Sequence, residues 1–242
     1  MTGGASGIGL ATAKVLAREG ARVLLCDLEE SSGASAVAEV EKEGGEARFV
    51  RADVASEANV AAAVRACVAA FGRLDCAVNN AGVTGAMGLI PDCSLEAWER
   101  TLAINLTGVF LCLKHEIPVM SEQRSGAIVN IASGAGLIAV PGLSAYCASK
   151  HGVLGLTKTA AHETARSGVR VNAICPGVID TPMLRSAIDA SPAMEKMILS
   201  SAVSGRLGSP EEVAEAAVWL CSDRASYVSG ESMLVDAGTV AR

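Results

Sequence analysis

Thr2-Gly3-Gly4-Ala5-Ser6-Gly7-Ile8-Gly9 is a glycine-rich turn, and the residues after it, Leu10, Ala11, Ala13, Val15, Leu16 and Ala17, read as a helix packed on an apolar surface. Glycines in such a turn let backbone N–H groups approach a pyrophosphate, and the N-terminus of the following helix adds unpaired donors and a favourable dipole. Outward from this turn, apolar strand-like runs at 22–27, 47–52, 75–79, 127–132, 170–174 and 231–235 alternate with helical stretches at 8–19, 32–43, 60–71, 95–120, 145–166 and 211–221. That alternation predicts an α/β fold, a doubly wound parallel sheet with helices on both faces. With 242 residues, half of them apolar, the chain has material for one sizeable core, so residues 1–242 are expected to form a single domain. Ser209-Pro210-Glu211-Glu212 is a helix start: a capping residue, a proline in the first turn and acids at the positive end of the dipole. The stretch 181–204, with Pro182, Pro192 and several methionines and leucines but no strand pattern, reads as a lid. A glycine turn of this kind should follow a strand, yet only Met1 precedes Thr2. In a doubly wound sheet that strand is central, and its loss would bare buried backbone groups at roughly 1 to 3 kcal/mol each. The expectation is a first strand missing or cut short, with a start several residues downstream of the natural one.

Composition narrows the partners. A net charge of −6 with no basic run argues against nucleic acid or an anionic membrane surface. No apolar stretch is expected to approach the roughly 18 residues of a membrane span, and the N-terminus lacks a secretory pattern, so a soluble, cytoplasmic protein is predicted. The eight cysteines, Cys26, Cys67, Cys76, Cys93, Cys112, Cys147, Cys175 and Cys221, form no Cys-x-x-Cys pair and read as reduced, mostly core residues; no metal site is expected. His115, His151 and His162 share no spacing and have no acid partner in sequence reach, while Arg206 and Glu211 read as solvated or intersubunit charges.

Tyr146 stands four residues before Lys150 in Ser-Ala-Tyr-Cys-Ala-Ser-Lys, and Ser133 lies thirteen residues before the tyrosine. On a helix, positions i and i+4 share a face. A phenol titrates near 10 when free, and an adjacent ammonium is expected to lower that value, giving an acid/base usable at a carbonyl or alcohol.

With glycine turn, Tyr-x-x-x-Lys and upstream serine in this order, the sequence resembles the short-chain dehydrogenase/reductase family from Thr2 to the C-terminal region. Asn79-Asn80-Ala81-Gly82, Pro176-Gly177 with Thr181 after it, and Asn105 in Ile104-Asn105-Leu106-Thr107-Gly108 match further motifs of that family. The resemblance implies a Rossmann fold and a catalytic set of Asn105, Ser133, Tyr146 and Lys150. Tyr146 would move the proton, Ser133 would hydrogen-bond the reacting oxygen, Lys150 would depress the phenol and hold the nicotinamide ribose, and Asn105 would anchor a water. It likewise implies cofactor contacts from Gly3, Ser6, Gly7, Ile8 and Gly9 in the turn, from Asp27, Leu28, Asp53 and Val54 at strand ends, from Asn80, Ala81 and Gly82, and from Pro176, Gly177, Ile179 and Thr181. Tyr146 and Lys150 would touch the cofactor too. A carboxylate at Asp27 accepts ribose hydroxyls and repels a 2′-phosphate; Ser6 and Leu28 stand where NADP-using relatives often carry bases. NAD is therefore expected over NADP.

Gly134, Ala135, Gly136, Leu137, Val140, Pro141, Leu143, Thr84 and Met87, with Met183, Leu184, Ile188, Met194 and Met197 from the lid, are the expected substrate lining. Almost none is charged, which predicts a neutral, mostly apolar secondary alcohol or its ketone as the small-molecule substrate. Reduction of 3-oxoacyl thioesters on an acyl carrier protein is the alternative within the family, and a non-catalytic dinucleotide-binding regulator the alternative outside it. A chain inactive without its first strand is a third. Relatives usually assemble through two long helices, here 95–120 and 145–166, and a homotetramer is expected; Gly152, Gly155, Ala160 and Ala161 would permit close packing there.

Overall fold

The computed structural model describes residues 1–189, 196, 198 and 202–241. Helix α1 (Gly7–Arg18) leads to β1 (Arg22–Asp27), α2 (Glu30–Lys42), β2 (Glu46–Arg51), α3 (Glu57–Phe71) and β3 (Cys76–Asn79). Then come α4 (Leu95–Leu102), a π-helical segment (Ala103–Thr107), α5 (Gly108–Gln123), β4 (Gly126–Ile131), α6 (Ser144–Thr164), β5 (Val169–Pro176), α7 (Pro182–Asp189), α8 (Pro210–Cys221) and β6 (Ser232–Val235). All ladders are parallel, β1 with β2 and β3-β4-β5-β6 in that order.

The two groups of strands are joined by the first two residues. Cys26 N donates to Met1 O (2.8 Å), the terminal ammonium donates to Leu24 O (2.9 Å), and Thr2 N donates to Val78 O (3.1 Å). Thr2 bridges Cys26 on one side and Asn79 on the other. The central lane expected to lack its strand is thus filled, over this length, by Met1–Thr2, and the spatial order reverses about it.

The centre of the sheet is apolar because both faces are covered, as parallel strands require. Ile128, Val129, Val171, Ala173, Ile174 and Cys175 are buried. One face packs on α5 and α6 through Val109, Leu113, Met120, Val153 and Leu154. The other packs on α8 through Val213, Ala217 and Leu220. Gly152, Ala160 and Ala161, read as outer positions of α6, pack within the chain instead: the two alanines belong to the core, and a methyl at Gly152 would press on Leu106. Gly155 alone of the four faces open space.

The predicted helix at 95–120 is one rod with a π-helical segment inside it. The run Leu95–Gln123 is 29 residues long and holds an 18-residue window of mean hydropathy 1.3, long and apolar enough to cross a membrane, which corrects the reading that no stretch approaches that length. Val109, Leu113 and Met120 of that run are buried in the core against the sheet, while Leu95 and Phe110 are exposed. Helix α3 starts three residues earlier than predicted because Ser56 caps it, accepting from Asn59 N. His115 does find an acid, Glu57 from α3, at 3.2 Å. The stretch read as a lid begins with α7; Pro192, Met194 and Met197 lie outside the described residues. All eight cysteines are free thiols.

The start of α8 is a full capping box. Ser209 Oγ accepts from Glu212 N (3.3 Å), Glu212 accepts from Ser209 N (2.8 Å), and Arg206 grips the same carboxylate at 2.7 and 2.9 Å. Arg206 therefore has an ion-pair partner within the chain. Ser209→Ala is expected to cost about 1 kcal/mol, a fall of roughly 2 to 4 °C in Tm on thermal unfolding for a chain of this size.

Candidate active site

The crevice opens where the strand order reverses, outside the carboxyl ends of β1 and β3, the place where open α/β sheets bind ligands. The glycine turn forms its floor. A Cβ on Gly9 would collide with the Gly3 carbonyl oxygen, so only glycine lets α1 start this close to the turn. Asn80 fastens the turn from β3: its amide nitrogen donates to Thr2 O (3.1 Å) and Gly3 O (3.0 Å), and Thr2 Oγ1 accepts from the backbone N–H of Asn80 (3.0 Å) and Ala81 (3.2 Å). Ser6 is the N-cap of α1 but makes no side-chain capping bond, which leaves first-turn N–H groups, beginning at Gly7 and Ile8, as donors for a ligand. Thr181 lies across Gly7, about where a Cβ there would make van der Waals contact.

Asp27 closes β1. One carboxylate oxygen accepts from Ala5 N (3.0 Å) and the other from Leu28 N (2.8 Å), while the N-cap of α2 is Glu29, so Asp27 tethers the turn and is not a helix cap. Asp53 accepts from Ala55 N (2.9 Å), its own N–H donates to Asn59 Oδ1 (3.1 Å), and Val54 is buried beside Ala81 and Ile104. On the far side Pro176 ends β5, Gly177 N donates to Val235 O (3.0 Å), and buried Ile179 bridges Gly208. The backbone donors of the turn, the carboxylate at the end of β1 and the small Ala81-Gly82 wall fit a dinucleotide laid across the crevice.

The four residues expected to carry chemistry come from three places: the end of β4, α6 and the π-helical segment. Ser133 follows β4 and accepts from Ala135 N (3.1 Å), capping the 3₁₀ turn Gly134–Gly136. Tyr146 and Lys150 lie one turn apart on α6. Lys150 Nζ donates to Ile131 O (2.8 Å) and sits 5.6 Å from the Tyr146 ring centroid. Asn105 sits in the π-helical segment, where the widened turn directs it at the backbone of Val83: Val83 N donates to Oδ1 and Nδ2 donates to Val83 O, both at 2.8 Å, and Nδ2 reaches Ser149 Oγ at 3.2 Å. Ser149 Oγ in turn donates to Tyr146 O (2.7 Å). A methyl at Gly82 would stand 3.3 Å from Asn105 Oδ1 and 3.6 Å from Lys150 Nζ, so these side chains close around a wall that has no room to spare.

One expectation is corrected. Tyr146 is not lowered: burial pushes its phenol above the ordinary value, with the hydrogen bond from Ser133 acting in the opposite sense. The reason is geometric, since the Lys150 ammonium is directed at a carbonyl and flanks the ring, and no hydrogen bond joins it to the phenol oxygen. Burial also brings Lys150 down to about 8.

Among the residues expected to line the substrate, Gly134, Ala135 and Gly136 are buried, and Leu137 is exposed. Gly88 N donates to Gly142 O (3.0 Å), which docks the stretch containing Thr84 and Met87 against that containing Val140, Pro141 and Leu143. Cys147 Sγ lies 3.8 Å from Val140 O. Ile188 of α7 is buried while Met183 is exposed. Arg185 on the same helix is held by Asp180.

Sequence reasoning missed a buried polar chain beneath this site. Asn79 Nδ2 donates to Glu116 Oε2 and to Asn130 Oδ1, each at 3.0 Å, and Asn130 Nδ2 donates to Thr157 Oγ1 at 3.0 Å. The available signal was an acid inside the apolar run of α5 and asparagines inside apolar strands.

A family model described as Enoyl-(Acyl carrier protein) reductase matches residues 3–240. The 2,5-dichloro-2,5-cyclohexadiene-1,4-diol dehydrogenase of Sphingobium indicum is 43% identical over 100% of this chain and 96% of its own length. The cyclopentanol dehydrogenase of Comamonas testosteroni is 42% identical over 100% of this chain and 96% of its own length. Among solved structures, levodione reductase superposes with a TM-score of 0.96 at 38% identity, covering 99% of this chain and 96% of that one.

Proposed function

Because the chain belongs to the short-chain dehydrogenase/reductase family, we propose that it is an NAD-dependent oxidoreductase that interconverts a neutral, mostly apolar, ring-borne secondary alcohol and its ketone. The observation that carries this reading is the meeting of Ser133, Tyr146 and Lys150 at the end of β4, beside the glycine turn and under an apolar lining. When bound, the cofactor supplies the hydride acceptor or donor. In the oxidative direction Tyr146 takes the hydroxyl proton as the carbon gives up its hydride; in reduction it returns that proton to the oxygen. The Ser133 hydroxyl donates to the same oxygen while charge develops on it. Lys150, fixed by Ile131 O, holds a positive charge near the ring and a donor facing the ribose position. Asn105 locks the π-helical segment to Val83 and so fixes the wall opposite Lys150. Gly3, Gly7, Ile8 and Gly9 would seat the pyrophosphate, Asp27 the adenosine ribose, Asp53 and Val54 the adenine, and Asn80, Ala81, Gly82, Pro176, Gly177, Ile179 and Thr181 the nicotinamide half.

The ring-borne class is supported by the two relatives, a cyclohexadiene-diol dehydrogenase and a cyclopentanol dehydrogenase. The apolar lining agrees with it. A cytoplasmic location and assembly as a homotetramer are part of the same proposal; Leu95 and Phe110, which stay exposed on the long rod, support the assembly. The test is absorbance at 340 nm over a panel of cyclic and linear secondary alcohols, carboxylated analogues and 3-oxoacyl thioesters, each with NAD and NADP. Turnover of neutral cyclic alcohols with NAD, at least tenfold above the acyclic and anionic members, is expected. Strict dependence on a carboxylate, phosphate or acyl-carrier group would overturn the substrate class.

A further inference from the structure

We propose that Arg51 is a second determinant of cofactor selection, admitting a 2′-phosphate to a site whose Asp27 would otherwise exclude it, so that NADP binds alongside the preferred NAD. The inference rests on the dinucleotide site proposed above.

Asp27 and Arg51 are direct partners in the parallel ladder at the carboxyl ends of β1 and β2. Paired positions of neighbouring strands project to the same face of a sheet, so the carboxylate and the guanidinium leave the sheet on one side. Arg51 Nε donates to Leu28 O (3.0 Å), which draws the guanidinium onto the turn immediately after Asp27. The same turn holds Asp27 through Leu28 N. Among the described residues Arg51 makes no ion pair, and it is exposed, so the terminal N–H groups are open to solvent near the end of β1. The surrounding charge is otherwise acidic: Glu29 and Glu30 open α2, and Asp53 follows β2, all three exposed. Neither Ser6 nor Leu28 offers a cation. Arg51 is therefore the basic group these segments present to an anion at the 2′ position, and a planar fork of N–H donors suits a phosphate. Asp27 and Arg51 then divide the work: the carboxylate accepts ribose hydroxyls, and the guanidinium offsets its field when a phosphate replaces one of them.

Calorimetric titration of the full-length chain with 5′-AMP and with 2′,5′-ADP separates these roles, since the fragments differ only at the 2′ position. The unaltered chain should bind both. Arg51→Ala should move the ratio of the two dissociation constants about tenfold toward 5′-AMP, the size of one charge-assisted contact, and Arg51→Lys should restore part of it. The shift should shrink in 0.5 M NaCl as screening grows. A ratio that stays within twofold in Arg51→Ala, or no binding of 2′,5′-ADP to the unaltered chain while 5′-AMP binds, would overturn the inference and leave the dinucleotide site standing. Failure of both fragments to bind the unaltered chain would overturn the site reading and this inference together.

Discussion

Tyr146→Phe should lower kcat/KM for the alcohol by about 10³-fold, within the range for loss of a positioned general acid/base, while the chain stays folded and its cofactor affinity changes little. The substitution removes one oxygen. The ring remains under the Lys150 ammonium, whose bond to Ile131 O does not involve the phenol. Ser133 keeps its cap on the turn at 134–136. Loss of rate therefore reports the proton transfer and not the architecture. The pH dependence follows from the burial that pushes this phenol up. At neutral pH it carries its proton and is loaded as the acid for ketone reduction. Oxidation needs the deprotonated fraction, which grows as pH rises, so its kcat/KM should climb from neutral into alkaline solution in the unaltered chain and flatten in the variant. Single-turnover kinetics at 340 nm across pH 6 to 10, with thermal unfolding and cofactor titration as controls, provides the check. A variant that oxidises the alcohol at more than a tenth of the original rate would remove Tyr146 from the mechanism.

What the sequence made legible was whatever depends on backbone approach or on period. The glycine turn could be read because the crossing of Gly9 over Gly3 tolerates no side chain. The strands could be read because a parallel sheet covered on both faces demands unbroken apolar runs, as in β4 and β5. Three things were illegible for physical reasons. The π-helical segment at Ala103–Thr107 carries no distinguishing residue, since one wider turn costs little when Asn105 repays it with two bonds to Val83. The Met1–Thr2 lane is too short to show a strand pattern, yet its backbone pairs on both sides. The Tyr146 phenol was misjudged because a neighbour at i+4 shares a helix face without its charged end having to meet the phenol oxygen. Lys150 found a carbonyl, and desolvation became the larger effect on both groups.

Glu116→Gln should raise stability at pH 8 by roughly 3 to 4 kcal/mol and leave it nearly unchanged near pH 4. Glu116 is buried on α5 among apolar neighbours, and burial lifts its carboxyl to about 7, with the hydrogen bond from Asn79 and the positive terminal ammonium pulling the other way. In the unfolded chain a glutamate titrates near 4.3. Between about 4.3 and 7 the folded state holds a proton that the unfolded state has released, so stability falls as pH rises through that window and the loss is complete above it. A separation of about 2.7 pK units corresponds to roughly 3 to 4 kcal/mol. The neighbouring thiols Cys26 and Cys112 are themselves pushed up by burial and stay neutral here, and the terminal ammonium acts on the acid and not on an amide. Glutamine keeps the shape, accepts the Asn79 bond, and carries no charge to desolvate. The Asn79 carbonyl oxygen is buried without a partner in the network in either case. A chain of this size gains roughly 2 to 4 °C per kcal/mol, so the variant should melt at least about 6 °C higher at pH 8 and within about 2 °C of the original at pH 4. Equal melting temperatures at pH 8 would mean that Glu116 is ionised in the folded chain at no cost, through contacts other than its bond from Asn79.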